Sequence, residues 1–255
     1  MTTRAALADA VRPFGPNGKL WAEHIPPLDA LADALGLPPA DAQRPQVGLT
    51  DADFAAEADR LACQVAQIRA VWEVESGGGW FTDVRADILA LDGPGGFIDG
   101  PHLPKILFEA HVFDRETNGR FRKSHPNLSS HRWNRALYVG GVGEWERLNR
   151  AILLDARAAL RSASVGGAQI MGFNHKLAGF DSVESFWAAM KRDEGQHLRA
   201  FGSFVLNSGL ADELRQVSRW HDACRPFARG YNGPGYAKNN YHVKIARAYD
   251  KWRAA

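Results

Sequence analysis

The chain has 255 residues, 45% of them hydrophobic and 24% charged, an ordinary globular make-up long enough to bury a core without disulfide or metal staples. Net charge is +2 but polarised: residues 1–100 carry 7 Lys/Arg against 15 Asp/Glu, and residues 101–255 carry 24 against 14. A basic half suits an anionic polymer, yet these residues alternate with acids on apparent helices and carry no RNA- or DNA-binding signature, so nucleic acid is not an expected partner.

The opening MTTRAALADAV has no apolar core of signal-peptide length and carries Asp9 early, and no stretch approaches a membrane span. Synthesis in the cytoplasm without stable membrane insertion is the expectation. Trp21 to Leu37 reads as a short amphipathic helix with Leu28, Leu31 and Leu35 on one side, ended by Gly36 and Pro38–Pro39. Residues 38–49 read as a linker, so 1–50 is expected to be an N-terminal extension and 51–255 the main domain. Thr50 is placed to cap a long helix that runs to about Ser76, where three glycines stop it. Residues 80–103 are rich in Gly, Pro and Asp with short apolar pieces, which predicts turns and a small β-sheet. Helices are predicted again over about 103–116, 144–163, 183–206, 210–221 and 241–253, with breaks at Gly166-Gly167 and at Gly230 to Gly235. The predicted class is α+β, mostly α-helical, with one β-rich insertion early in the chain. Cys63 and Cys224 match no metal-ligand spacing and are expected to be reduced packing residues.

Within the helix before the triglycine, Leu61, Val65, Ile68 and Trp72 step by 4, 3 and 4 and form one apolar stripe. A further step of 3 lands on Glu75, so a carboxylate closes a buried stripe in the last turn of a helix. Desolvation and the negative end of the helix dipole both raise the pKa of such a group. Glu73 falls on the face of Arg69, four residues earlier, and reads as half of a solvated ion pair. A carboxylic acid that keeps its proton near neutral pH is what cleavage of a glycosidic bond requires, because the leaving oxygen must be protonated. Structural pairing is the competing reading for any buried Glu.

Four segments carry a resemblance. Trp72-Glu-Val-Glu75-Ser-Gly-Gly-Gly-Trp-Phe81 looks like the catalytic segment of the N-acetylmuramidase domain of phage endolysins. Pro104-Lys-Ile-Leu-Phe-Glu109-Ala-His111-Val-Phe113 resembles the second signature of that family, and Ser164-Val-Gly-Gly-Ala-Gln169-Ile-Met-Gly172-Phe-Asn174 the third. Ala228-Arg-Gly-Tyr231-Asn232-Gly233 resembles a fourth, shared with goose-type lysozymes and soluble lytic transglycosylases. Their order fits, and together they span about residues 55–255.

The resemblance implies a lysozyme-like fold with the β-rich insertion after the catalytic helix. It also implies cleavage of the β-1,4 bond between N-acetylmuramic acid and N-acetylglucosamine in peptidoglycan glycan strands. Glu75 would be the acid, and Gln169, Tyr231 and Asn232 would line the cleft. A tight turn at Tyr231-Asn232-Gly233 and plain packing at Gln169-Ile-Met are the alternatives. Related domains often carry a bulkier residue where this chain has Gly167-Ala168.

A base or nucleophile is expected among the later acids. Asp83, Asp87, Asp92 and Asp99 lie in the insertion, and Asp99 is the chosen water-holder by its distance after the acid. Glu109 is placed on the following helix as a buried partner near Glu75, with structural and catalytic roles both open; on a helix it would face away from His111. If no base is present, attack by the sugar's own C6 hydroxyl would give 1,6-anhydromuramic ends, as in a lytic transglycosylase. No cofactor or metal is expected, since no His-Glu-x-x-His occurs. The rival of another class is a non-catalytic wall-binding or phage structural protein, for which the basic half and eight tryptophans would serve equally well. A monomer is expected, reaching the periplasmic wall by holin-type release or by injection.

Overall fold

The computed structural model describes residues 7, 10–14, 25–37, 48–76, 81–83, 102–141 and 143–254. In chain order its helices are α1 (Ile25–Ala34), α2 (Asp51–Leu61), α3 (Val65–Ser76), α4 (Ala110–Glu116), α5 (Gly143–Leu154) and α6 (Ala156–Arg161). They continue with α7 (Val183–Arg192), α8 (Glu194–Asn207), α9 (Ala211–Arg215), α10 (His221–Asn232) and α11 (Tyr241–Trp252). The strands are short: β1 (Phe81–Asp83), β2 (His102–Pro104), β3 (Ile106–Phe108), β4 (Ala163–Val165) and β5 (Ile170–Met171). The chain thus has the expected mostly helical α+β class. No helix among the described residues is long and apolar enough to cross a membrane. Two compact units are present, one formed by Met1–Pro45 with Phe81–Ala163, the other by Gln46–Trp80 with Ser164–Ala255.

The second unit is organised around α3, which packs along α11; α10 packs on α11, and α2 on α8. Ile68 and Trp72 are fully buried, and the Trp72 ring meets Phe201 of α8 at 5.8 Å. Each such side chain contributes about 1.5–3 kcal/mol by leaving water. The single helix predicted over 50–76 is in fact two. Thr50 opens α2 with a capping box to Asp53, but Ala62 turns left-handed (φ 50) and ends it. Leu61 therefore belongs to α2, and only Val65, Ile68, Trp72 and Glu75 share α3. Buried Gln67 fixes the break: its Nε2 donates to the Arg215 and Val217 carbonyls (2.6 and 2.9 Å), and its Oε1 accepts from the Gln64 N–H at 2.9 Å.

The same physics splits the helix predicted over 183–206. Asp193 is extended, and its side chain accepts from the Gln196 N–H at 2.8 Å, capping α8. The helix predicted over 210–221 shrinks to α9, while 221–232 forms α10, so the break placed at Gly230 begins only at Gly233 (φ 73). Glu73 does not pair with Arg69. It accepts from Lys251 Nζ and Trp252 Nε1 on α11, both at 2.8 Å, and Arg69 turns to Asp51. Both cysteines are free, and Cys224 is buried.

In the first unit β1 and β2 pair antiparallel, with Phe81 opposite Pro104 and Asp83 opposite His102. The helix predicted over 103–116 starts only at Ala110. Before it, Ile106 and Phe108 are buried on either side of a half-buried Leu107, the period-2 signature of a strand. The helix predicted over 144–163 is divided at Asp155, which caps α6 through the Ala158 N–H at 3.0 Å. At the core of this unit Glu144 is wholly buried but fully engaged. One carboxylate oxygen accepts from the Val139 and Gly140 N–H groups (2.8 and 3.1 Å), the other from the Phe108 N–H (3.1 Å) and Arg147 Nη1 (2.7 Å).

Candidate active site

Glu75 sits in the last turn of α3, where the unsatisfied helix carbonyls disfavour negative charge. Burial raises its pKa from the ordinary 4.5 to about 7; the Asn232 hydrogen bond and the positive charge of Lys244 pull the other way, less strongly. The side chain is half-buried. Asn232 Nδ2 donates to Glu75 Oε1 at 2.9 Å across 157 residues of sequence. This contact fixes one carboxyl oxygen, and no hydrogen bond to the second is seen among the described residues. Asn232 Oδ1 is buried with no hydrogen-bond partner among the described residues, an acceptor held next to the acid.

The preceding residue, Tyr231, is locked by aromatic packing. Its ring stacks on Phe227 at 5.6 Å and meets the edges of Phe204 and Phe201 at 5.5 and 5.7 Å. Its hydroxyl donates to the Ala168 carbonyl at 3.0 Å, joining the end of α10 to the β4–β5 hairpin. Burial, and then the charge of Glu75, push the Tyr231 phenol well above its usual range. The same two causes raise Tyr241 at the start of α11. Tyr241 therefore also lies within the field of the acid, and Lys244 one turn later holds its ammonium 5.4 Å over the Tyr241 ring. The sequence reading missed Tyr241 and Lys244. Their spacing marks a helix face, but that this face approaches Glu75 follows only from the packing of α11 on α3.

The hairpin pairs Ser164 with Met171 and Val165 with Ile170. Its turn needs Gly166 at φ 77, and Gln169 is also left-handed (φ 48). The Gln169 amide is used within the hairpin: Nε2 donates to the Gly166 carbonyl at 2.7 Å and Oε1 accepts from Ser164 Oγ at 2.8 Å. Beneath the turn lies buried His197, whose Nε2 is 2.6 Å from the Met190 carbonyl and whose Nδ1 accepts from the Gly167 N–H at 3.3 Å. Burial lowers its pKa to about 4, so the ring stays neutral and keeps Nδ1 as an acceptor. The small Gly167-Ala168 pair fits this setting, with the imidazole on one residue and the Tyr231 hydroxyl on the next.

Of the predicted residues, Glu75 and Asn232 are in contact, Tyr231 is adjacent in sequence and Gln169 is linked through the hairpin. Glu109 belongs to the first unit, where it is extended (φ −99, ψ 95) ahead of α4 rather than on a helix. It accepts a hydrogen bond from the Tyr138 hydroxyl, and His111 Nδ1 is 3.1 Å from the same oxygen. Glu109 and His111 thus do face each other, because Glu109 precedes the helix. Asp99 lies outside the described residues, as do Asp87 and Asp92; Asp83 is in β1. Among the described residues no group of three or more His, Cys, Asp or Glu side chains is arranged to hold a metal.

A mostly helical α+β domain that holds a proton-retaining carboxyl at a helix end, against the Tyr-Asn end of another helix, is of the lysozyme-like class. The N-acetylmuramidase family matches residues 64–253, and the chain belongs to that family. It is accordingly a glycoside hydrolase that acts on peptidoglycan. The crystal structure of the Burkholderia AP3 phage endolysin is similar, with 32% identity and a TM-score of 0.66; the match covers 99% of this chain and 85% of that one. No curated protein matches the chain.

Proposed function

We propose that the protein is a muramidase that cleaves the β-1,4 bond between N-acetylmuramic acid and N-acetylglucosamine, with Glu75 as general acid. The observation that carries this reading is the Glu75 carboxyl with its pKa near 7, pinned through one oxygen by Asn232. In the protonated state it hands its proton to the leaving glycosidic oxygen as the sugar becomes oxocarbenium-like. The carboxylate that results is stabilised by the Asn232 amide and by the charge of Lys244. Asn232 Oδ1, an unpartnered acceptor beside the acid, would take an acetamido N–H or a hydroxyl of the substrate. Tyr231 and Gln169 would line the cleft; their hydrogen bonds to the Ala168 and Gly166 carbonyls support a role in holding the end of α10 and the hairpin in place. Asp99 is our candidate for the base. Glu109, already engaged by Tyr138 and His111, is assigned an accessory role in the first unit.

The alternative reading is a lytic transglycosylase, in which the sugar's own C6 hydroxyl attacks and no second carboxylate is required. Mass spectrometry of digested sacculi separates the two, because an anhydro end lacks one water. Full-mass reducing ends support hydrolysis; anhydro ends support the transglycosylase. A non-catalytic wall-binding protein would release neither. Phage-type lysis after holin release, or injection into a rival cell, is the setting proposed for this activity.

A further inference from the structure

The first unit exposes an aromatic surface that the proposed chemistry at Glu75 does not use. Residues 131–136 are all exposed, and Trp133 within them is 58% exposed, unusual for the largest apolar side chain. The Trp133 ring lies 6.0 Å from that of Tyr138, inclined by 43°. Tyr138 is firmly held: its hydroxyl donates to Glu109, and the Arg147 guanidinium sits 5.7 Å over its ring. Arg147 is in turn bonded to the buried Glu144 at 2.7 Å and to the Phe108 carbonyl at 3.0 Å. Trp133 thus rests on a partner anchored in the core of its unit, so little ordering is needed when a ligand docks on it. Arg132 and Arg135 flank it, both exposed and neither with an acidic partner among the described residues.

An exposed indole backed by a fixed phenol, with one exposed arginine just before it in the chain and another two residues after it, suits a flat, partly apolar ring that carries carboxylates close by. The C–H face of an N-acetylated sugar stacks on an indole, and Arg pairs with carboxylate in a fork. We propose that Trp133, supported by Tyr138 and flanked by Arg132 and Arg135, is a secondary glycan-binding subsite that takes one N-acetylated sugar of a peptidoglycan strand and the acidic substituents near it. This inference rests on the reading of the protein as a peptidoglycan hydrolase and assigns part of its wall affinity to a surface of the first unit.

The test is co-sedimentation of the full chain with purified, protein-free sacculi on ice, in the native protein and in Glu75→Gln. Trp133→Ala should weaken binding about three- to tenfold in both backgrounds, with an unchanged circular dichroism spectrum, and Trp133→Phe should restore most of it. Binding within about twofold of the parent overturns the subsite. In case Trp133→Ala folds poorly, indole N–H resonances of the otherwise native chain are followed as chitotetraose is added. The peak missing in Trp133→Phe should move, and a static peak overturns the proposal. Arg132→Gln/Arg135→Gln should lose affinity for sacculi but not for uncharged chitin; equal loss on both overturns the carboxylate part. If Trp133→Ala loses binding to phosphatidylglycerol vesicles and keeps sacculus binding, the patch is a lipid site and the proposal fails. Lysis retained by Glu75→Gln would remove the acid assignment and leave this binding result untouched.

Discussion

Replacing Glu75 by Gln removes one ionisable proton and almost no volume, and the structure sets the sign and size of two separate effects. The carboxyl titrates near pH 7 when folded and near 4.5 in its ordinary environment, so the native state holds the proton more tightly than the unfolded chain between those values. Its contribution to stability is therefore fully present below about pH 4.5 and is lost as pH rises through about 7. At 1.36 kcal/mol per pKa unit the gap amounts to roughly 3 kcal/mol, reduced somewhat because the group is only half-buried. Gln has no proton to lose, and its amide oxygen still accepts from Asn232. Glu75→Gln should melt with the native protein at pH 4 and several degrees above it at pH 8, when thermal unfolding is followed by circular dichroism. In turbidity reduction of permeabilised cells or sacculi the same variant should lose at least about a hundredfold in rate, the scale of a missing general acid. A stability gain at pH 8 without loss of lysis would show a buried structural carboxyl. Loss of lysis with no gain at pH 8 would refute the account of its raised pKa.

Four further outcomes are expected. Lys244→Met removes a charge that holds the Glu75 pKa down, so the alkaline limb of the pH–rate profile should move upward by less than about one unit, since the ammonium is exposed and screened; a downward shift contradicts the geometry. Gly166→Ala forces a side chain into φ 77 and puts Cβ 2.9 Å from His197 Nδ1, so it should cost about 1–3 kcal/mol in denaturant unfolding and reduce lysis. The native protein should also weaken as pH falls from about 6.5 through about 4, where protonation of His197 turns its acceptor nitrogen into a donor against the Gly167 N–H. Glu144→Ala leaves Arg147 buried without its partner and should cost about 3–5 kcal/mol, measured by the same denaturant series; a loss under about 1 kcal/mol would show that water compensates the arginine.

Several features could be read from sequence because their causes are local. The Thr50 capping box, the glycine-driven turn at 166, the amphipathic α11 and the burial of Ile68 and Trp72 beside Glu75 all follow from spacing within a few residues. The helix breaks at Asp155 and Asp193 also have a local cue, an Asp able to cap the next helix. Periodicity hides them, because an apolar stripe can continue in register through a cap. Residues 103–108 read as helix from sequence because Ile, Leu and Phe in a short run satisfy either period until a partner strand selects one.

The sequence by itself determined the family, the mostly helical class and which carboxyl closes a buried helix face. Tertiary structure alone decided what that carboxyl is. Its raised proton affinity is set by the water that packing excludes, and is held in check by Asn232 and Lys244, which come from the far end of the chain. The same holds for Glu73, which found Lys251 and Trp252 rather than its helical neighbour, and for Glu109, whose extended backbone brought His111 and Tyr138 to it. Periodicity reports the direction in which a side chain points, whereas its charge state depends on whatever the fold places within a few ångströms of it.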